Sequence, residues 1–259
     1  MPEIPDLQVF SHNLSKRLSG KRVQKIHAIV TRKLKTDEKE FQDSLEGAVL
    51  TSVHREGKAL HFTFDNGNVL SLHLMLKGEL HYYEKSNENK FTILEILFDD
   101  STGLAMTDFQ RQATPTLNPG PREAPDALSR EVDYKFLKQM LNRSKTTIKK
   151  RLMDQSIIRG IGNAYADEIL WHARISPFAI SNKIPDPAIE RLSDSIKTVL
   201  TNAEKNIRQA HPDIISGEVR DLLAIHNPGK THSPTGEKIH IEERSGRKTY
   251  FTKEQERFH

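Results

Sequence analysis

Residues Leu152–Pro177 read LMDQSIIRGIGNAYADEILWHARISP. A short turn, Gly160-Ile161-Gly162-Asn163, separates two segments with helical patterning. Before it, Ile148, Leu152 and Met153 recur at helical spacing; after it, Ala164, Ile169, Leu170 and Ala173 do the same. Asn163 is placed to be the N-cap of the second helix. The two glycines let backbone approach a ligand with no Cβ in the way. A helix N-terminus entered through such a turn is an anion site. In a basic chain the anion is expected to be a nucleic-acid phosphate. A helix-turn-helix corner whose glycines serve only packing is the alternative reading of the same pattern.

The rest of the composition frames this motif. A chain of 259 residues makes one large domain or two modest ones. With 36% hydrophobic residues, two smaller domains with much polar surface are favoured. The formal net charge of +4 and the pI near 9.1 permit nucleic acid without requiring it. No apolar run is long enough to span a membrane, and Met1-Pro2-Glu3 lacks the basic start of a signal peptide, so a cytoplasmic location is expected. The chain has no cysteine, which excludes disulfides, thiolate zinc sites and thiol catalysis.

Taken in order, the chain opens with a helix. Pro5 and Asp6 suit its first turn, Leu7, Phe10, Leu14 and Leu18 mark one face, and Gly20 supplies a stop. The charged run Lys33 to Glu40 reads as a solvated loop or a short surface helix. From about Val49 the period changes to two. Leu60, Phe62 and Phe64 alternate with polar residues, and Asp65-Asn66-Gly67-Asn68 is a hairpin turn back into Val69 to Leu74. Leu80 to Tyr83, Phe91 to Phe98 and Leu104 to Thr107 read as further strands. This pattern predicts a sandwich or a partly open barrel over residues 1–112. Pro115, Pro119, Pro121 and Pro125 mark a linker over 113–131. Residues 132–225 are predicted helical, including Pro187 to Ala210 and a last pattern near Glu218 to Ile225. Residues 226–259 hold two short strands, Lys238 to Glu242 and Lys248 to Phe251, around Ser245-Gly246.

The N-terminus carries a second chemical signal. A small Pro2 favours removal of Met1, which leaves a secondary α-amine at the chain end. Such an amine has a pKa near about 8, so more of it is neutral and nucleophilic at pH 7 than lysine. Its attack on a sugar carbon gives an iminium ion directly, an electron sink for elimination of the flanking phosphates. Glu3 would sit beside it to exchange protons. Read alone, Met-Pro-Glu is a common beginning with no such meaning.

Together, Pro2-Glu3-Ile4-Pro5-Asp6, Gly57-Lys58 and Asp154-Gln155-Ser156 with Gly160-Ile161-Gly162-Asn163 and Tyr165-Ala166-Asp167-Glu168 resemble the formamidopyrimidine-DNA glycosylase and endonuclease VIII family, over nearly the whole chain. The resemblance implies an α+β protein of two domains. An N-terminal β-sandwich opened by a helix is followed by a helix-two-turn-helix domain with a C-terminal β-hairpin. It implies Pro2 as nucleophile, Glu3 as general acid and Lys58 at the phosphate beside the lesion. Asn163, with the amides around Gly160 and Gly162, would hold a DNA phosphate.

Three features depart from the family pattern. Its four-cysteine zinc finger maps onto His232, Thr235, Thr252 and Gln255, which cannot form a zinc site, so a zincless finger is expected. The hairpin-tip arginine is retained as Arg247, suited to bidentate phosphate binding. The loop that faces the lesion's partner base reads Asp108-Phe109-Gln110-Arg111-Gln112-Ala113, with Gln110 and Gln112 where the family has arginine and an aromatic. Glutamine can hydrogen-bond an orphaned base but stacks poorly. The side chain that fills the hole left by an extruded nucleotide is assigned to Leu76, with Met75 next. Both residues would otherwise be strand core.

The resulting expectation is a bifunctional DNA glycosylase and AP lyase of base-excision repair. It needs no metal or other cofactor, works as a monomer at the nucleoid, and acts on double-stranded DNA with a damaged base or abasic site held between the two domains. Oxidised purines and oxidised pyrimidines both stay open as substrates. A damaged-DNA or abasic-site binding protein of weak catalysis is the alternative from a different class.

Overall fold

The structure, a computed structural model, describes residues 1–28, 37–244 and 246–259. The chain forms two compact units, Met1–Pro121 with Arg208–Glu218, and Arg122–Ile207 with Val219–His259.

The first unit opens with helix α1, Ile4–Leu18. Pro5 suits its first turn, and the Asp6 carboxylate accepts the Glu3 amide at 3.0 Å, half of a capping box. Eight strands follow: β1 (Val23–Ala28), β2 (Leu50–Glu56), β3 (Ala59–Phe64), β4 (Val69–His73), β5 (Glu79–Glu84), β6 (Thr92–Phe98), β7 (Thr102–Thr107) and β8 (Thr114–Leu117). They form two four-stranded antiparallel sheets of a β-sandwich, in the orders β1, β6, β7, β5 and β2, β3, β4, β8. The period-two reading holds in detail. Leu60, Phe62 and Phe64 turn inward, beside Phe10, Leu14 and Leu18 of α1 and Ile96, Leu104 and Met106 of the other sheet. Gly67, at φ 84°, makes the β3–β4 turn.

Strands β1 and β8 were not foreseen from the sequence. Strand β1 has no clean alternation, and its edge position asks little of one. Helix α2, Glu38–Leu45, is capped by Asp37, whose carboxylate accepts the Glu40 amide at 2.8 Å. It buries Phe41 and Leu45 completely. The charged run Lys33 to Glu40, read as a loop or a short surface helix, enters α2 at Glu38, and its residues 33–36 lie outside the described residues.

The proline-rich stretch divides between the units. Thr114–Leu117 is β8, where Pro115 is tolerated because β8 is an edge strand. Beyond Pro121 the stretch belongs to the second unit, where the Arg159 amide donates to Pro125 O at 2.8 Å and Arg159 Nε to Ala124 O at 2.6 Å.

The second unit contains α3 (Tyr134–Asn142), α4 (Ile148–Leu152), α5 (Asn163–His172) and most of α6 (Asp186–Ala210), then the hairpin of β9 (His240–Arg244) and β10 (Arg247–Phe251). Ser245 lies outside the described residues. The helical pattern read over Glu218 to Ile225 is not a helix. Val219 and Leu223 are buried at helical spacing, but the amides of residues 224–226 all donate to the Glu168 carboxylate, whereas a helix over 218–225 would tie those of 224 and 225 to carbonyls four residues back.

Candidate active site and nucleic-acid interface

In the first unit, Pro2 and Glu3 are buried at the start of α1. Met1 precedes them, and its ammonium pairs with Glu218. Glu218 is brought there by a segment anchored in this unit: Asn13 Nδ2 donates to Ile214 O at 2.8 Å and the Leu80 amide to Ser216 Oγ at 2.8 Å, while Ile214 and Ile215 pack on the core. Lys58 stands half-buried in the β2–β3 turn, after Gly57 at φ 59°. Arg55 ties this turn to α1. Its Nε donates to Gln8 Oε1 at 2.9 Å and its Nη1 to Gly57 O at 3.0 Å. Neither Arg55 nor Glu218 was singled out in the sequence. The spacing Arg55-Glu56-Gly57-Lys58 held a signal for the first, while the role of Glu218 depends on chain folding back across some two hundred positions.

A second feature lies at one end of the sheet β1, β6, β7, β5. Both Glu79 and Thr92, the first residues of β5 and β6, pair with Thr107, the last residue of β7. The turn before β5, the loop before β6 and the loop after β7 therefore share this end. Each carries an exposed large hydrophobic residue: Leu76 at 56%, Phe91 at 59% and Phe109 at 57%. Each also carries an exposed cation, Lys77, Lys90 and Arg111. Each contains non-glycine backbone with positive φ, Met75 at 52° in the first, Lys85 at 69° and Phe91 at 61° in the second, and Arg111 at 52° in the third, a conformation that costs about 1–3 kcal/mol per residue and concentrates at functional sites. Asp108 braces the third loop, its carboxylate accepting the amides of Gln110, Gln112 and Ala113 at 2.7–2.8 Å.

Of the residues assigned here from sequence, Leu76 is exposed rather than strand core, and Met75 is half-buried. Buried Leu74 takes the core place. Gln110 is exposed and Gln112 half-buried. Phe91 and Phe109 were not picked out, because an apolar residue at a strand edge reads as core until the register is known.

In the second unit the glycine turn is shaped by Gln155. Its Oε1 accepts the Gly160 amide at 2.8 Å and its Nε2 donates to Ile161 O at 2.8 Å, with Gly160 at φ 101°. The N-cap of α5 is Gly162 and Asn163 is the first helical residue, so the helix begins one position earlier than expected. Freed from capping, the Asn163 amide Nδ2 donates to Lys248 O at 3.0 Å, which ties it to the hairpin near its tip. Arg247, one residue earlier, is exposed beside Gly246, itself at φ 71°.

Asp167 and Glu168 hold this arrangement from beneath. Asp167, fully buried, meets Lys149 Nζ at 2.7 Å and His226 Nδ1 at 2.7 Å and accepts the Tyr250 amide at 2.9 Å. Burial pushes the Glu168 carboxyl above its usual range, against the pull of the three amides from residues 224–226.

At the positions of the expected zincless finger, hydrogen bonds do the holding. Glu254 accepts from Thr235 Oγ1 at 2.8 Å and Thr252 Oγ1 at 3.2 Å, and pairs with Arg174 at 2.7 Å. Gln255 Oε1 accepts the Thr252 amide at 2.8 Å, and its Nε2 donates to Ile175 O at 2.8 Å. His232 is exposed.

The model of the formamidopyrimidine-DNA glycosylase N-terminal domain matches residues 1–114, and that of the formamidopyrimidine-DNA glycosylase H2TH domain matches residues 124–211. The chain is 30% identical over 213 residues to the formamidopyrimidine-DNA glycosylase of Streptococcus pneumoniae, covering 78% of this chain and 77% of that one. To that of Heliobacterium modesticaldum it is 29% identical over 271 aligned residues, covering 97% and 98%. A solved complex of the Lactococcus lactis protein with DNA containing an abasic site superposes with a TM-score of 0.85 at 25% identity, covering 96% of this chain and 97% of that one.

Proposed function

The chain belongs to the formamidopyrimidine-DNA glycosylase family, and we propose that within it Pro2 is the nucleophile, Glu3 the group that exchanges protons, and Lys58 the cation at the phosphate beside the lesion. The protein is a DNA base-excision repair glycosylase with AP lyase activity. Once Met1 is removed, the Pro2 nitrogen attacks C1′ of the damaged nucleotide and the base leaves, taking up a proton. The nitrogen lone pair then forms the C1′ iminium as the C1′–O4′ bond breaks and the sugar ring opens, with O4′ taking a proton from Glu3. Loss of a C2′ proton expels the 3′ phosphate, a second elimination expels the 5′ phosphate, and water releases the sugar remnant from Pro2. The observation that carries this reading is the bond between Arg55 and Gln8. It fastens the Lys58 turn to the helix that begins beside Pro2 and Glu3.

Asn163, the Gly160–Gly162 turn and Arg247 are the phosphate contacts of the second unit, supported by the hydrogen bond from Asn163 to Lys248. Leu76 fills the space of the flipped nucleotide, with Met75 shaping its turn. Gln110 and Gln112 face the opposite base by hydrogen bonding. Phe109, exposed in the same loop, supplies the stacking that glutamine lacks. The substrate is double-stranded DNA with an oxidised base or an abasic site, and the place of action is the nucleoid.

Borohydride trapping on duplexes with an abasic site or one of several oxidised bases tests the mechanism, after intact mass has established that Met1 is gone. A covalent adduct in wild type that vanishes in Pro2→Gly is expected, and the best-trapped base names the substrate. Tight binding without an adduct, from a protein with free Pro2, would overturn it in favour of a damage-binding role.

A further inference from the structure

The outer face of the β2–β3 hairpin carries chemistry that base excision does not use. In the antiparallel pairing of these strands His54 stands opposite His61. Side chains two apart in a strand share a face, so Glu56 lies on the side of His54, one step nearer the turn. The inward faces of the same strands bury Val53, Leu60 and Phe62, and a slip of one residue would turn those three to solvent. The core therefore fixes the opposition of the two histidines.

The geometry is close to that of a chelate. The His54 and His61 ring centroids are 5.4 Å apart at 61°, and Glu56 Oε2 is 3.4 Å from His61 Nδ1. One ligand atom from each of the three residues lies within 4.8 Å of the others. Bonds to a shared ion put tetrahedral ligand atoms about 3.3 Å apart. His54, the most exposed of the three, has room to rotate toward the other two. Two imidazoles and a carboxylate suit borderline divalent ions, such as zinc, cobalt, nickel or copper, better than calcium or magnesium.

We propose that His54, Glu56 and His61 form a binding site for one divalent transition-metal ion, with its fourth position open to water. The site owes nothing to the hairpin of the second unit, where the family's zinc ligands are replaced. Its ligands lie on the two strands that flank the Gly57-Lys58 turn, so the ion acts as a clamp on that turn.

The test uses the full chain without a histidine tag, stripped with chelator, and Zn2+ as the probe. Calorimetric titration near neutral pH is expected to show one equivalent bound, and Co2+ to give the visible absorption of a nitrogen and oxygen site. His54→Ala and His61→Ala should each weaken Zn2+ binding by about tenfold or more, and Glu56→Gln by less. His259→Ala should leave it unchanged. Zn2+ should also raise the Tm of wild type and not of His54→Ala. His54 is exposed, so its replacement leaves the fold intact and carries the test even if His61→Ala proves unstable. Absence of saturable binding, or binding unaltered in His54→Ala, would overturn the proposal.

Discussion

Arg55 Nε lies 2.9 Å from Gln8 Oε1, and the same guanidinium reaches Gly57 O at 3.0 Å. One planar group thus sets the distance between α1 and the turn that carries Lys58. Arg55→Ala is expected to slow formation of the trapped adduct about tenfold while leaving Tm within a few degrees of wild type. Arg55→Lys should not restore the rate, because a point charge cannot span both acceptors with fixed geometry. Single-turnover trapping beside a thermal melt checks both. An unchanged trapping rate in Arg55→Ala would separate this residue from the chemistry.

Asp167 is the counter-charge of buried Lys149. Asp167→Asn leaves that ammonium buried and uncompensated, at a cost of about 3 kcal/mol. Lys149→Met added to it should return part of the loss. Urea unfolding of the two variants measures this, and a double variant no better than the single one would count against the ion pair as the cause.

Gly103 faces the Tyr83 ring so closely that a Cβ there would overlap it. The ring cannot give way, since its hydroxyl donates to Glu95 Oε1 at 2.6 Å. Burial first, and then Glu95, push that hydroxyl's pKa well above its ordinary value. Gly103→Ala should destabilise the chain by about 2 kcal/mol through overpacking, read as a lower urea midpoint. Adding Tyr83→Phe, which frees the ring, should recover part of it.

Phe109 is exposed on a braced loop. Phe109→Ala should weaken binding to abasic-site duplex by about 1–2 kcal/mol, the worth of one base–aromatic stack. Binding to undamaged duplex should change little. Gln112→Ala, half-buried beside it, should do less. Fluorescence anisotropy with both duplexes decides, and an equal loss on both would assign Phe109 to general DNA contact.

Burial pushes the Glu254 carboxyl up, but the Thr235 hydroxyl, the Arg174 charge and the Thr252 hydroxyl outweigh it and hold the pKa below the usual carboxylate range. A depressed folded pKa contributes stability that is present above the unfolded value, about 4.3, and is lost as pH falls through the lower folded value. Melts of wild type and Glu254→Gln should differ at neutral pH and converge in acid. A constant gap across that range would show that the charge of Glu254 is not what holds the hairpin.

Much of the molecule was legible in the order of its residues. The alternation of Leu60, Phe62 and Phe64, the Asn66-Gly67 turn and the Gly160-Ile161-Gly162-Asn163 motif each announced local structure, because each reflects a local rule of backbone geometry or period. The expected helix near Glu218 to Ile225 failed for the opposite reason. Val219 and Leu223 have helical spacing, yet the backbone there answers to Glu168, more than fifty residues away. Asn163, expected as the cap, is the first helical residue, and its side chain bonds a partner on the hairpin, eighty-five residues away.

What the sequence determined by itself was the set of elements and the chemistry available: a helix opening a β-rich region, a glycine turn before a helix, Pro2, Glu3 and Lys58, and a hairpin without cysteines. Only the tertiary structure decided which of these residues meet. The link of Arg55 to Gln8, the sharing of Asp167 among Lys149, His226 and Tyr250, the return of Glu218 to the chain start, and the gathering of Leu76, Phe91 and Phe109 at one sheet end all depend on register and long-range packing. Local propensity constrains a residue and its near neighbours, whereas a contact across fifty or two hundred positions is set by how whole buried faces fit together.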